Sequence, residues 1–258
     1  MLRVERLSKA FGGVQAIREL SFVLEPGRTQ SIIGPNGAGK TTLFNLISGV
    51  LAPDSGRIWL ADEDITGRRP FEVARVGLAR TFQNLQVFFN MSVRENVMLG
   101  RHRHLERSFW GCLGRSPKIV RSERACRERA DAILRRVGLA GDPDAPAESL
   151  AYGALRRLEI ARALATEPRL LLLDEPAAGC NARETREIDA LIQGIAADGV
   201  TVVLVEHDMR LVMNVSERIL VLDHGERLAE GTAAEIRADP EVIAAYLGSA
   251  AAGTGDAA

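Results

Sequence analysis

Apolar residues recur along this chain in two rhythms, and the two alternate. Near the N-terminus, short runs such as "LRVERL", "LSFVLEPG" and "TQSIIG" are broken by glycine and proline, the pattern of strands and turns. After "GPNGAGKTT", Leu43, Phe44, Leu46 and Ile47 fall at helical spacing, so strand, loop and helix follow one another. "SGRIWLADEDI" predicts one more strand and completes a mixed β region within the first 65 residues. From 92 to 165 the periodicity is largely helical, clearest in "RSERACRERADAILRRVGL". "RLLLLDEP" and "VTVVLVEHD" are apolar throughout, as strands covered on both faces are, and a helix around "ETREIDALIQGIAA" separates them. "RILVLDHGERLAEG" reads as a terminal hairpin, and "SAAAGTGDAA" is assigned no structure.

Strands alternating with helices at both ends, around an all-helical middle, predict an α/β core with a helical insert. At 258 residues, one domain with a subdomain or two small domains are expected. A net charge of -1 argues against a nucleic-acid partner held by bulk positive charge, and the arginines are spread rather than clustered. Cys112, Cys126 and Cys180 are odd in number and lack CxxC spacing, so neither a disulfide framework nor a structural zinc site is expected, and a reducing cytosol fits. No apolar run approaches the length of a membrane span or a signal peptide, although the protein could still dock on a membrane.

Chemistry enters at "GPNGAGKTT", which fits G-x-x-x-x-G-K-[ST] between a strand and a helix. Gly34, Pro35, Asn36, Gly37, Ala38 and Gly39 would turn backbone amides onto phosphate oxygens, and the helix that follows adds the positive end of its dipole. Lys40 would reach the β- and γ-phosphates of ATP; the Thr41 hydroxyl would ligate Mg2+, with Thr42 beside it. "LLLLDEP" ends a buried strand on Asp174, placed for the Mg2+ shell, and Glu175, placed to polarise a water against the γ-phosphate. Positioning and charge compensation are most of what phosphoryl transfer needs.

The ordered set "GPNGAGKTT", "RTFQN", "LAYGALRRLEIARAL", "LLLLDEPAAG" and "VEHD" resembles the ATP-binding subunits of ABC transporters over nearly the whole chain. The resemblance implies a P-loop NTPase (RecA-like) core with an N-terminal antiparallel β subdomain and an inserted helical subdomain. It implies one ATPase domain over 1–248, the insert at about 92–165, and a flexible tail at 249–258. Ala151, Tyr152, Gly153 and Ala154 stand at the signature motif, whose helix start binds the γ-phosphate held by the cradle of a second cassette. Close approach at Gly153 and the helix dipole agree with that role, and Leu155, Leu158, Ala161 and Ala165 would anchor the helix. Phe11 resembles the aromatic that stacks on adenine, Gln83 the glutamine that reaches Mg2+ and the lytic water, and His207 the switch histidine that contacts the γ-phosphate. Two departures stand out: Ala151 replaces the common serine, and Asn181 replaces an aspartate common in the inter-subunit loop.

"GLARTFQNLQVFFNMSVRENVMLG", the "LAYG" form and the ending "EVIAAYLG" are similar to the ATPases of branched-chain amino acid importers. The segment 101–120, with Phe109, Trp110 and Leu113, resembles one of their two paralogous ATPases. That likeness implies a homodimer or a paralogous heterodimer, integral-membrane permease subunits, an extracytoplasmic substrate-binding protein met indirectly, no nucleic acid, and a peripheral place on the cytoplasmic face of the inner membrane. Leu85, Val87, Phe88, Phe89 and Met91 would line a groove for a short permease helix or fill the subdomain core. Urea, amides, other amino acids or aromatic acids as cargo, lipopolysaccharide export and a soluble non-transport ABC ATPase remain as alternatives. A small-molecule kinase would lack the signature.

Overall fold

The computed structural model describes residues 1–102 and 117–252. Strands β1 (Leu2–Phe11), β2 (Val14–Leu24), β4 (Ser55–Leu60) and β5 (Glu63–Asp64) form an antiparallel sheet in the order β2-β1-β4-β5. The second sheet runs β10-β9-β3-β8-β7-β6. In it β3 (Thr29–Ile33), β8 (Thr201–Val205), β7 (Leu170–Asp174), β6 (Leu78–Arg80) and β9 (Arg218–Asp223) pair in parallel, and β10 (Glu226–Gly231) closes one edge antiparallel to β9.

Alternation sorts the core. Ile32, Leu170, Leu172, Val203, Val205, Leu220 and Leu222 pack with the antiparallel sheet and helix α1 (Lys40–Ile47). Their strand neighbours Leu171, Leu173, Val202 and Leu204 face the other way, onto α3 (Val93–Gly100), α4 (Pro117–Arg136), α5 (Tyr152–Leu164) and α6 (Ala182–Ala197). The helical insert therefore shares its apolar core with one face of the sheet. Ile33, Ile219 and Val221 extend that face under α7 (Met209–Val215), α8 (Ala233–Ala238) and α9 (Pro240–Ala252). Every residue of β3, β7 and β8 is buried, as uninterrupted apolar strands require. Because these three are parallel neighbours, their C-terminal ends bring residues 34, 174–175 and 206–207 to one edge of the sheet.

Four local differences from the sequence expectations have simple causes. "SGRIWLADEDI" is two strands, because Ala61 adopts φ 55° and turns the chain between β4 and β5. Helix α2 (Pro70–Val76) and strand β6, neither signalled by periodicity, follow, the helix ending at Gly77 with φ 113°. Between α4 and α5 the chain is not α-helical except for a short 3-10 turn at Ala147–Ser149, since Gly138, Gly141, Pro143 and Pro146 interrupt it. The C-terminal segment differs too: α9 continues through Ser249–Ala252, where three consecutive alanines favour the helix. Phe109, Trp110 and Leu113 lie outside the described residues, as does 253–258 of the expected tail.

Candidate active site

The loop after β3 is shaped by contacts that exclude a side chain. Gly34, Gly37 and Gly39 all have positive φ. A Cβ on Gly34 would stand 2.1 Å from the Leu222 carbonyl oxygen, and one on Gly39 2.5 Å from that of Ala16. Gly39 is also the N-cap of α1 and offers no side-chain cap, so the first amides of the helix stay open to an anion. Ala38 is buried beneath the loop and closes a turn by donating its amide to the Pro35 carbonyl, while Asn36 and Thr41 are exposed and Thr42 is half-buried. Lys40 is buried, and its Nζ donates to the carbonyls of Gly34 at 2.7 Å and Pro35 at 2.9 Å. Burial pushes its ammonium below the ordinary range, against a smaller opposite pull from Glu175. An incoming anion would offset that cost. Phe11, 46% exposed, ends β1 beside the Gly12–Gly13 turn and offers an apolar face next to the cradle, which Ala16 and Ile17 of the same hairpin touch.

Two sequence-nominated side chains meet at the carboxylate of a third. Glu175 Oε2 accepts from Gln83 Nε2 at 3.2 Å, and its Oε1 lies 3.1 Å from His207 Nε2. Glu175 follows β7 with φ 49°, a strained conformation for a non-glycine residue, and its amide donates to the Val205 carbonyl. Asp174 has a partner that the sequence did not reveal. Its Oδ2 accepts from Arg80 Nη2 at 2.9 Å, both side chains being almost wholly buried. Arg80 Nη1 also donates to Asn45 Oδ1 at 2.7 Å and Ser48 Oγ at 2.9 Å, tying the end of α1 to β7.

The segment 151–154 opens α5 without a side-chain cap, because Ala151 has no acceptor to give. Instead the Gly153 amide donates to Glu184 Oε1 at 3.2 Å. Tyr152 lies against Gly179, where a Cβ would meet its ring at 2.9 Å, and Arg156 stacks over the same ring. Leu155, Leu158, Ala161 and Ala165 are buried as expected, Ala154 is half-buried and Ala151 exposed.

The same helix grips the loop that carries Gln83. Arg156 Nη2 donates to the Gln83 carbonyl at 2.9 Å, and Glu159 Oε1 receives the amides of Phe82 and Gln86. Burial pushes Glu159 up and Arg162 down. Glu206, buried in "VEHD", collects the amides of Ala177, His207 and Asp208, and burial pushes it up as well. Asn181 caps α6 by accepting from the amides of Arg183 and Glu184, which is what an aspartate there would do.

Residues 17–178 match the family model described as ABC transporter. The chain belongs to the ABC transporter family. Its C-terminal segment, 226–252, matches a second model, "Branched-chain amino acid ATP-binding cassette transporter". The high-affinity branched-chain amino acid transport ATP-binding protein BraF of Pseudomonas aeruginosa is 46% identical over 97% of this chain and 98% of its own length. LivG of Escherichia coli K12, named for the same transport, is 43% identical over the same shares. Among solved structures, the ADP conformation of MJ1267, an ATP-binding cassette of an ABC transporter, superposes with a TM-score of 0.84 at 34% identity, covering 96% of this chain and 98% of that one. The chain is thus an ABC ATPase cassette, a nucleotide-binding protein. No helix among the described residues is long and apolar enough to cross a membrane.

Proposed function

We propose that this cassette hydrolyses ATP with Mg2+ at a site completed by a second cassette, itself or a paralogue, and thereby powers the uptake of branched-chain amino acids. The observation that carries the catalytic reading is the convergence of Gln83 and His207 on the Glu175 carboxylate, at 3.2 and 3.1 Å. Glu175 takes the proton of the attacking water, and Gln83 and His207 orient that carboxylate and the γ-phosphate end of the site. Lys40 and the open amides of α1 bind the phosphates, and the exposed ring of Phe11 stacks on adenine. Mg2+ in this site would neutralise charge on the β- and γ-phosphates. Thr41, Gln83 and Asp174 would hold it; the exposed hydroxyl of Thr41 fits an ion that binds through few protein oxygens and keeps several waters.

The membrane partner is supported by a groove of about 560 Å³ between the sheet and the helical insert, with Phe82, Leu85, Val87 and Phe88 in its wall. Phe89 and Met91, expected there from the sequence, are not among its lining residues. A short helix of an integral-membrane permease docks in it, which places the cassette on the cytoplasmic face of the inner membrane. An extracytoplasmic binding protein delivers the solute to the permease, so cargo never touches this polypeptide. The match of 226–252 and the names of BraF and LivG support the choice of cargo.

Glu175→Gln leaves ATP binding intact and lowers hydrolysis about 10²- to 10⁴-fold, with a nucleotide-loaded dimer accumulating. Persistent turnover would reject Glu175 as the base. For cargo, a strain lacking this chain loses uptake of radiolabelled leucine, isoleucine and valine. Retention of all three, with loss of urea or amide uptake, would reassign the solute.

A further inference from the structure

One carboxylate bridges two helix starts. Glu184, in the first turn of α6, receives the Asn181 amide on Oε2 at 2.9 Å and the Gly153 amide on Oε1 at 3.2 Å. The first bond belongs to the capping box of its own helix. The second reaches across to α5 and supplies the cap that Ala151 lacks. The contact is close: a Cβ on Gly153 would stand 2.5 Å from Glu184 Cδ and 2.6 Å from Oε1. The bare backbone at Gly153 is thus already used, and an anion uses it. Among the described residues Glu184 makes no ion pair within 4 Å.

A carboxylate oxygen and a phosphate oxygen seek the same donor, a free amide at the positive end of a helix. Both cannot hold the Gly153 amide at full strength, and two anions at one helix start repel each other. We propose that Glu184 is a positioning residue that occupies the signature seat in the resting cassette and is displaced from it by the terminal phosphate of ATP bound to the partner cassette. Its charge sets the ATP concentration at which two cassettes close. The inference rests on the two-cassette reading above. Displacement breaks only the Gly153 bond, since Glu184 can keep its bond to Asn181 and stay on α6.

The test uses the full chain carrying Glu175→Gln, together with the second cassette that co-purifies with it, so that ATP is held unhydrolysed while dimer formation is followed by light scattering. Glu184→Gln keeps the length of the side chain and an acceptor for the Asn181 amide but removes the charge. It is expected to lower the ATP concentration for half-maximal association roughly two- to fivefold, with a smaller loss of Tm than Glu184→Ala. Glu184→Ala removes both caps and lowers Tm, yet is expected to move association in the same direction. A merely structural cap would shift Tm and leave the ATP requirement where it was or raise it, and that result in both variants overturns the proposal. Gly153→Asp in the same background places a fixed carboxylate at the seat and is expected to block association. If it blocks while the Glu184 variants change nothing, the displacement is wrong and the two-cassette reading stands. If Gly153→Asp associates at the original ATP concentration, that reading falls, and the displacement with it.

Discussion

The two helix starts proposed to receive phosphate, those of α1 and α5, are built on different principles. At the cradle, the glycines are demanded locally: Gly34, Gly37 and Gly39 have positive φ, and backbone carbonyls stand where side chains on Gly34 and Gly39 would be. At the signature end, Gly153 is not among the positive-φ glycines, and the atoms crowding it belong to a flexible side chain from another helix, Glu184. The cradle is a rigid mould; the signature end is a seat with a movable occupant. Rigid moulds announce themselves in sequence, whereas movable occupants do not.

The sharpest separation of the two comes from adding one methyl group to each. Gly34→Ala drives a Cβ against the Leu222 carbonyl at 2.1 Å, at a φ of 150° that side chains rarely adopt. The clash is with backbone rather than with a flexible side chain, so we expect a cost of about 3 kcal/mol or more, seen as lost folded protein or lost ATP binding. Gly153→Ala first meets Cγ, Cδ and Oε1 of Glu184, a side chain that can rotate away, and should cost about 1 kcal/mol in thermal unfolding. Equal losses in the two variants would break the contrast.

Behind the cradle stands an ion pair, and removing one member tests how far the rigidity extends. Arg80 joins Asp174 to Asn45 and Ser48, with its guanidinium 5.5 Å from the ring centre of Phe44 and 4.9 Å from that of Phe82. Arg80→Ala leaves Asp174 buried without its cation, a loss of about 3–5 kcal/mol by the usual behaviour of broken buried pairs. Chemical denaturation measures it directly. A loss below 1 kcal/mol would mean that the end of α1 is held by packing alone.

The cradle, the paired carboxylates and the parallel strands were legible because each signal is contiguous: a glycine-rich loop before a helix, four leucines before Asp174, alternation within a hairpin. Arg80 was in view inside "RTFQN", but nothing local links it to a carboxylate 94 positions away. Glu184 lies 31 residues from Gly153, and its capping box with Asn181 already accounts for a glutamate there. Arg156 and Glu159 read as the polar side of an amphipathic helix, yet they are buried and hold the backbone of the Gln83 loop. In each case the missing information is which distant segment meets the side chain, and the alternation of apolar residues carries none of it.

Acid separates the two regions in another way. The Arg80–Asp174 pair holds the cradle side through opposite charges, whereas Glu206 holds the loop at Ala177 and the turn at His207–Asp208 through amides alone. Burial raises the Glu206 pKa above the ordinary carboxylate value, so the folded protein retains a proton that the unfolded chain has released. Stability from this group is therefore complete below the ordinary range and is lost as pH rises through the raised value. Glu206→Gln cannot titrate. Whatever its stability at neutral pH, its Tm should fall less steeply than that of the wild type as pH rises from the ordinary carboxylate range through the raised value. Parallel Tm profiles would show that Glu206 does not titrate there.

The smallest expected effect addresses the seat itself. Ala151→Ser restores a hydroxyl at the N-cap of α5, which accepts an amide from the first turn and stabilises the helix by about 1 kcal/mol. For a chain of this size that is a rise in Tm of about 2–4 °C. The added acceptor competes for the Gly153 amide that Glu184 now serves, so the gain should be larger when Glu184→Gln has weakened the existing cap. A double-mutant cycle reads this as a coupling beyond the roughly 0.5 kcal/mol expected of independent sites. Strict additivity would mean that the hydroxyl and the carboxylate cap different amides, leaving Gly153 to Glu184. The same serine should tighten the ATP-closed dimer, because a hydroxyl, unlike a carboxylate, can also donate to the phosphate that arrives. Unchanged ATP affinity and turnover in Ala151→Ser would make the hydroxyl irrelevant to closure and leave the seat to backbone amides alone.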